Sequence, residues 1–238
     1  MAVEQVYINE NIVLRDTVST HRWYDAWGAE TVKLLEDFVD IPFSAANLPA
    51  AWLNTITGAG TAALVAGSAS GELLMTNDAA DNATQNMQLL GEAFTLAARY
   101  PTYFGCRFKI SDIAAQDVHI GLNITDTACI EGGTSDGLYF RKNDADARLW
   151  FVAEQDSSET LVAVATLVNA TYITAEFLYY GNTVTVYVNG VEVASVADSV
   201  VDFPNDEYLT VTLAQQNGEG VIKTMTTDWI RCIQIQKA

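Results

Sequence analysis

Residues 183–195 read Thr-Val-Thr-Val-Tyr-Val-Asn-Gly-Val-Glu-Val-Ala-Ser, and this stretch predicts a tight β-hairpin. Asn189-Gly190 suits the two positive-φ positions of a type I′ turn, and a two-residue loop fixes the register of the strands. The predicted register pairs Val188 with Val191, Val186 with Val193 and Val184 with Ser195. One face of the hairpin is then apolar and the other polar, which is typical of a sheet that packs against a second sheet.

The chain between residue 51 and its end repeats this kind of pattern. Apolar and polar residues alternate in short runs, and turn signals such as Gly132-Gly133 and Asn217-Gly218 separate them. No long helical pattern interrupts the runs, which excludes a parallel βαβ fold. We predict an all-β fold, a two-sheet antiparallel jelly-roll sandwich. The predicted strands cover residues 71–76, 94–99, 104–110, 117–125, 136–141, 148–153, 161–168, 172–180, 208–214 and 228–236.

Residues 1–50 differ from the sandwich domain predicted for residues 51–238. In the stretch from Glu30 to Asp40, apolar residues recur at helical spacing, which predicts a short amphipathic helix. One such helix has no core of its own, so the segment either packs on the sandwich or forms an arm that binds a neighbouring molecule. Aromatic residues outside any periodic pattern favour the arm. The predicted contact residues of the arm are Trp23, Trp27, Val32, Leu35 and Phe38.

Composition narrows the possible partners. The chain has 30 acidic and 12 basic residues and a net charge of −18, so we expect no direct binding to nucleic acid or to an anionic membrane surface. Its apolar runs fall short of the roughly 18 to 20 residues that span a bilayer, and its start lacks a signal-peptide pattern. We expect synthesis in a cytoplasm. Cys106, Cys129 and Cys232 lack the spacing of zinc ligands, so buried thiols are expected, with no metal and no cofactor.

The stretch Glu154-Gln-Asp-Ser-Ser-Glu159 is the strongest catalytic candidate. Retaining glycosidases need two carboxylates about 5 Å apart, and Glu-x-Asp-x-x-Glu is the form of the catalytic strand in one group of β-sandwich glucanases. In those strands the residues between the acids are apolar, whereas Gln155, Ser157 and Ser158 are typical of a turn. A hairpin loop is therefore favoured over catalysis.

Three further motifs have an ordinary structural interpretation that we favour. The stretch Thr55–Ala63 imitates a dinucleotide fingerprint but lacks βαβ units around it. Acidic turns at Asn143–Asp146 and Thr134–Asp136 offer oxygen ligands for Ca²⁺ without the spacing of an EF-hand. His21 and His119 have no nucleophile elbow to pair with, so surface or inter-sheet histidines are expected.

Aromatic residues at strand spacing suggest a sugar-stacking platform or, more often, a core. The residues considered are Tyr179, Tyr180, Tyr187 and Trp150. The polar face of the 183–195 hairpin is where a ligand is expected. We therefore take Tyr179, Tyr187 and Glu192 as the candidate glycan face.

Four stretches together resemble the concanavalin A-like lectin/glucanase sandwich over residues 50–238. They are Gly71-Glu-Leu-Leu-Met-Thr, Asp136-Gly-Leu-Tyr-Phe, the hairpin from Val184 to Val193, and Thr227-Asp-Trp-Ile-Arg-Cys-Ile-Gln-Ile-Gln. Within that superfamily, the leading arm and the lack of a catalytic acid strand are similar to structural proteins of tailed bacteriophage particles. That resemblance implies a non-enzymatic capsid decoration (cement) protein.

The expected function follows from this resemblance. The protein is expected on the capsid surface of a virion, with the major capsid protein or another virion protein as partner and a homotrimer as its own assembly. Its arm then stabilises the head by binding across capsid subunits. The alternative is a carbohydrate-binding adhesin, from a tail fibre or a surface lectin-like module, with a glycan as partner. A polysaccharide hydrolase that uses Glu154 and Glu159 is the third hypothesis.

Overall fold

The structure is a computed structural model that describes residues 2–39, 51–68 and 71–236. These residues form nineteen β-strands and one π-helix, Cys129–Gly133. No helix in the described part of the chain is long and apolar enough to cross a membrane. The strands are β1 Val3–Ile8, β2 Asn11–Asp16, β3 Trp23–Trp27, β4 Thr31–Glu36, β5 Trp52–Thr57, β6 Thr61–Leu64, β7 Leu73–Thr76, β8 Thr84–Leu89, β9 Phe94–Thr95, β10 Thr102–Ile110, β11 Gln116–Asn123, β12 Gly137–Lys142, β13 Arg148–Gln155, β14 Ser158–Thr166, β15 Ile173–Tyr180, β16 Thr183–Val188, β17 Val191–Ala197, β18 Tyr208–Asn217 and β19 Thr224–Ile235.

Two large antiparallel sheets form a sandwich, which confirms the predicted fold class. The front sheet has the order β14-β13-β12-β11-β18-β8-β5, and β9 also pairs with β18. The back sheet has the order β17-β16-β15-β10-β19-β7-β6, and β4 also pairs with β19. A smaller N-terminal sheet has the order β1-β2-β3.

The core lies between the front and back sheets, where alternate residues of each strand face inward. Phe140 and Phe151 of the front sheet meet Phe104 and Phe177 of the back sheet, and all four are fully buried. The Phe151 and Phe177 rings lie 5.6 Å apart between centroids in an edge-on arrangement. Such aromatic contacts add to the stabilisation that comes from burying apolar area.

The hairpin at Asn189-Gly190 forms as predicted, with φ of 50° and 80° at the two turn residues, and Val188 faces Val191. Its register then shifts by one residue, because a β-bulge leaves Val193 without a partner across the ladder. Val186 therefore pairs with Ala194, and Val184 pairs with Val196 instead of Ser195. The prediction that Val193 faces the core is wrong, and its side chain is exposed.

The predicted helix over residues 30–40 is also wrong. Thr31–Glu36 is strand β4, which pairs with β19 so that Leu34 lies opposite Cys232. Backbone pairing with a neighbouring strand decides the structure here, because a short apolar run fits either periodicity. Asp40 and the rest of the segment up to residue 50 lie outside the described residues.

The N-terminal sheet packs on the outer face of the back sheet. Val13, Trp23 and Ala26 form a second apolar cluster with Tyr103 and Ile233. The described N-terminal residues thus follow the packing alternative, and their binding to another molecule stays a prediction. Among the five predicted contact residues, Trp23 and Phe38 are buried, Val32 is half-buried, and Trp27 and Leu35 are exposed.

Candidate functional site

A pocket of about 340 Å³ opens on the outer face of the front sheet. Strands β11 to β14 form its floor and one side, and the π-helix borders the other side. The residues that line it are Asn82, Asp117, Val118, His119, Cys129, Ile130, Gly133, Tyr139, Arg141, Lys142, Asn143, Glu154, Glu159 and Gln216. Polar and charged side chains predominate, so the pocket suits a ligand with many hydrogen-bonding groups.

Strand alternation places the polar side chains of the pocket on one face. His119 of β11 lies opposite Arg141 of β12, and Glu154 of β13 lies opposite Glu159 of β14. The two glutamates flank the two-residue turn Asp156-Ser157, whose φ angles are 52° and 63°. The stretch therefore forms the hairpin loop that its turn-like residues predicted, and the hairpin brings both carboxylates to the same face.

Arg141 and Glu159 form a bidentate ion pair at the edge of the pocket. Nη1 donates to Oε1 at 3.0 Å, and Nη2 donates to Oε2 at 2.6 Å. Two parallel hydrogen bonds fix the orientation of both planar groups. The Arg141 Nε group is buried without a protein partner, so one donor of this side chain remains available.

Glu154 and Tyr139 form the second pair, in the floor of the pocket. The Tyr139 hydroxyl donates to Glu154 Oε2, and both side chains are almost fully buried. Burial raises the pKa of Glu154, and the charge of Glu159 adds to this effect. Burial and the same hydrogen bond raise the pKa of Tyr139. Glu154 thus binds a proton more tightly than an exposed glutamate does.

His119 forms part of the pocket wall. Its ring stacks on Tyr139 with 4.0 Å between centroids, and its Nε2 lies 3.1 Å from Asn123 Oδ1. Burial lowers the pKa of His119 to about 3, so the imidazole is neutral at physiological pH. Since the Asn123 amide donates to Ile124 O, its Oδ1 accepts the Nε2 proton of His119.

Two glycines make room for this arrangement. A Cβ on Gly121 would clash with Tyr139, its neighbour across the ladder. A Cβ on Gly137 would lie 2.9 Å from Asn123 Cβ. Both glycines are therefore needed for side chains from adjacent strands to lie close to the sheet surface.

The predicted glycan face is not one surface. Tyr179 points into the core, where its side chain is 1% exposed and its hydroxyl donates to Asp198 at 3.0 Å. Tyr187 lies on the outer face of the back sheet and stacks on His21 at 3.5 Å. Glu192 lies opposite Tyr187 and is exposed. Strand alternation places Tyr179 on the opposite face of the sheet from the other two residues. The prediction that all three form one glycan face is therefore wrong.

The remaining candidates have structural surroundings. The stretch Thr55–Ala63 covers the end of β5 and the start of β6, so among the described residues it leads into a strand and not into a helix. Asp146 accepts hydrogen bonds from Arg148 and Trp150. The three cysteines are buried thiols. The carboxylates of Asp136, Asp156 and Asp206 lie within 4.8 Å of one another, but acidic groups in turns are common without a cation.

Sequence reasoning named Glu154 and Glu159 but missed Tyr139 and Arg141, the residues that bind them. The alternation in Leu138-Tyr139-Phe140-Arg141 predicts that the two polar residues lie on one face of their strand. Their juxtaposition with Glu154 and Glu159 depends on the pairing of β12 with β13 and of β13 with β14. Sequence alone does not give that register.

No family model matches the chain, and no curated protein matches it by sequence. Solved structures with the same fold do match. The endo-1,3-β-glucanase of Streptomyces sioyaensis has a TM-score of 0.63 at 13% identity, over 90% of this chain and 99% of the glucanase. A protein of unknown function from Shewanella oneidensis has a TM-score of 0.60 at 16% identity, over 87% and 89%. The carbohydrate recognition domain of Emp47p has a TM-score of 0.58 at 12% identity, over 86% and 95%. The chain is therefore similar in fold to concanavalin A-like lectin and glucanase sandwiches.

Proposed function

We propose that the protein binds carbohydrate in the pocket of the front sheet. The observation that carries this proposal is the pairing of Arg141 with Glu159 beside that of Tyr139 with Glu154. Sugar hydroxyls both donate and accept hydrogen bonds, and these pairs present carboxylate oxygens and guanidinium N–H groups in fixed positions. Ligand pockets typically combine such convergent polar groups with a concave surface.

The charges of the pocket favour a neutral sugar. Glu154, Glu159 and Asp117 place three carboxyl groups around the pocket, against the cations Arg141 and Lys142. The Lys142 Nζ donates to Gln116 O, so this cation is already engaged. A strongly anionic sugar would be repelled, because carboxyl groups outnumber cations in the pocket. The lectin and glucanase structures of similar fold support a carbohydrate ligand in general terms.

A glycan array followed by calorimetric titration tests the proposal. Arg141→Ala removes donors to the ligand and leaves Glu159, which is solvent-accessible, without its partner. We expect the affinity to fall at least tenfold, equivalent to about 1.4 kcal/mol. Arg148→Ala is the matched control, because Arg148 pairs with Asp146 outside the pocket. The proposal is wrong if no glycan binds, or if both variants bind as the wild type does.

Hydrolysis of the bound glycan is a second candidate function. It rests on one observation, that Glu154 and Glu159 lie opposite each other while burial raises the pKa of Glu154. An acid with a raised pKa beside a second carboxylate is the combination that glycoside hydrolysis uses. Release of reducing ends from β-1,3-glucan by the wild type, abolished in Glu154→Gln, is the result that this function requires. Its absence leaves binding as the function.

The capsid-decoration role and the homotrimer stay predictions, since the structures of similar fold supply no support for either. The exposed Trp27 and Leu35 are the side chains through which such an interface would act. Replacing both with serine should then abolish binding to undecorated capsids, and undiminished occupancy would contradict that role.

A further inference from the structure

Part of the outer face of the front sheet is covered. Strand pairing places Asn86 and Gln88 of β8 and Thr212 and Ala214 of β18 on this face. All four are nevertheless at most 3% exposed. The cover is the segment of residues 124–133, called the barrier segment here, which leaves β11 and ends in the π-helix. The π-helix contacts both β11 and β18.

Two amide side chains of β8 bind the barrier segment to the front sheet. Gln88 donates through Nε2 to Ile124 O at 3.2 Å and accepts from Asp126 N at 3.0 Å. Asn86 donates through Nδ2 to Asp126 O at 2.5 Å. The Asp126 side chain then accepts from Ala128 N at 2.8 Å and turns the chain towards the π-helix. The barrier segment is therefore fixed to the sheet by several hydrogen bonds.

The opposite side of the pocket is open. On β14 the outward residues Glu159, Leu161 and Ala163 are exposed, and nothing in the described part of the chain covers them. Cys129 and Ile130 of the barrier segment stand at the other side of the pocket. A groove that enters over β14 therefore meets the barrier segment before it reaches Asn86, Gln88, Thr212 and Ala214, and Gln216 at the end of β18 is the residue of that strand that lines the pocket.

We infer that the pocket binds the end of a saccharide chain, because the barrier segment excludes internal sugar units of a longer saccharide. This inference rests on the proposed function. A volume of about 340 Å³ is near the lower limit of ligand pockets and suits one or two sugar units. An internal stretch of a long chain would have to continue over β18 and β8, where Asn86 and Gln88 bind the barrier segment.

Saturation binding to polymers of different length tests the inference. The probes are the neutral polymers β-1,3-glucan, β-1,4-glucan and α-mannan, each linear and prepared as a short and as a tenfold longer fraction. An end-binding protein saturates in proportion to the number of chain ends, so the long fraction should bind about tenfold less protein per gram. Equal binding per gram overturns the inference and leaves carbohydrate binding intact. No binding to any probe overturns the proposed function, and the inference falls with it.

A variant of the barrier segment makes the test specific. The double variant Asn86→Ala, Gln88→Ala loses the side-chain hydrogen bonds to the barrier segment. Internal sugar units of a long polymer should then gain access to the pocket. The protein bound per gram of long polymer should rise at least twofold. Gln236→Ala is the control, because this amide donates to Ala93 O at 2.9 Å, away from the pocket. Circular dichroism and a thermal melt confirm that each variant is folded, and an unchanged capacity of a folded double variant contradicts the role of the barrier segment.

Discussion

The outer faces of the two large sheets carry the same kinds of residue in different surroundings. On the back sheet, Glu176 accepts hydrogen bonds from Tyr103 at 2.8 Å and from Arg22 at 2.6 and 2.5 Å. On the front sheet, Glu154 accepts from Tyr139, whereas Arg141 binds Glu159 instead. The N-terminal sheet covers the first set, and the second set lines the pocket.

The difference shows how the surroundings of a buried glutamate change its pKa. Burial opposes the charge of Glu176, but hydrogen bonds from Arg22 and Tyr103, together with the nearby His21 ring, lower its pKa to about 2. Burial raises the pKa of Glu154, and its hydrogen-bond donor Tyr139 is a neutral phenol and not a cation. The covered glutamate is a permanent anion that attaches the N-terminal sheet. The glutamate of the pocket keeps its proton to a higher pH than an exposed glutamate does.

The largest effect is expected from Arg22→Ala. This change leaves the carboxylate of Glu176, whose side chain is 0% exposed, with no guanidinium partner. Breaking a buried ion pair from one side typically destabilises a protein by about 3–5 kcal/mol. Chemical denaturation followed by circular dichroism measures the loss.

Arg15→Ala is the control for this prediction. The Arg15–Glu4 pair belongs to the same N-terminal sheet, but its side chains are 32% and 38% exposed. Exposed pairs contribute about 0.2–1 kcal/mol. Equal losses for the two variants would mean that the Glu176 pair does not attach the N-terminal sheet to the sandwich.

A smaller effect is expected from Glu176→Gln, and it depends on pH. The pKa of Glu176 falls from 4.5 to about 2 on folding, which corresponds to about 3 kcal/mol. Because the folded pKa is the lower one, this contribution is complete above pH 4.5 and disappears as the pH falls towards 2. The variant should be about 3 kcal/mol less stable at pH 7 and lose less stability on acidification. A parallel pH profile for wild type and variant would contradict the depressed pKa.

Glu154→Gln should behave in the opposite way. The folded state raises the pKa of Glu154 above 4.5, so its ionisation weakens the wild type as the pH rises from 4.5 through the raised pKa. Glutamine removes that loss, and the variant should be at least as stable as the wild type at pH 7. Unfolding free energies at pH 4 and pH 7 test this. A loss like that of Glu176→Gln would mean that the pocket glutamate is a structural anion.

The strands could be predicted from the sequence because alternation is local. Val184, Val186 and Val188 are buried as their spacing predicted, and Asn189-Gly190 forms its turn. The pairing of β4 with β19 depends on residues that are distant in sequence. The bulge at Val193 is an irregularity of the ladder that alternation does not predict. Phe38 shows this limit, because it lies just after strand β4 and packs in the core of the sandwich, whereas its spacing predicted a helix.

The site was predicted only in part. The turn residues between Glu154 and Glu159 predicted the hairpin, and the sequence also indicated these two acids as candidate catalytic residues. The contribution of Tyr139 and Arg141 depends on the order of strands in the front sheet, and that order comes from packing. The attachment of Arg22 to Glu176 joins residues 154 positions apart, beyond any local pattern.

Removal of the two tyrosine hydroxyls compares the faces most directly. Tyr103→Phe removes a hydrogen bond to a charged, fully buried carboxylate, and such bonds contribute about 1.5–3 kcal/mol. Tyr139→Phe removes the matching bond from Glu154. That glutamate can relieve its loss by taking up a proton, so about 1 kcal/mol is expected at pH 7 and less at pH 5. Denaturation of both variants at the two pH values measures the difference. A loss for Tyr139→Phe that equals the loss for Tyr103→Phe and does not change with pH would show that Glu154 stays ionised, and the distinction between the covered and the open face would then fail.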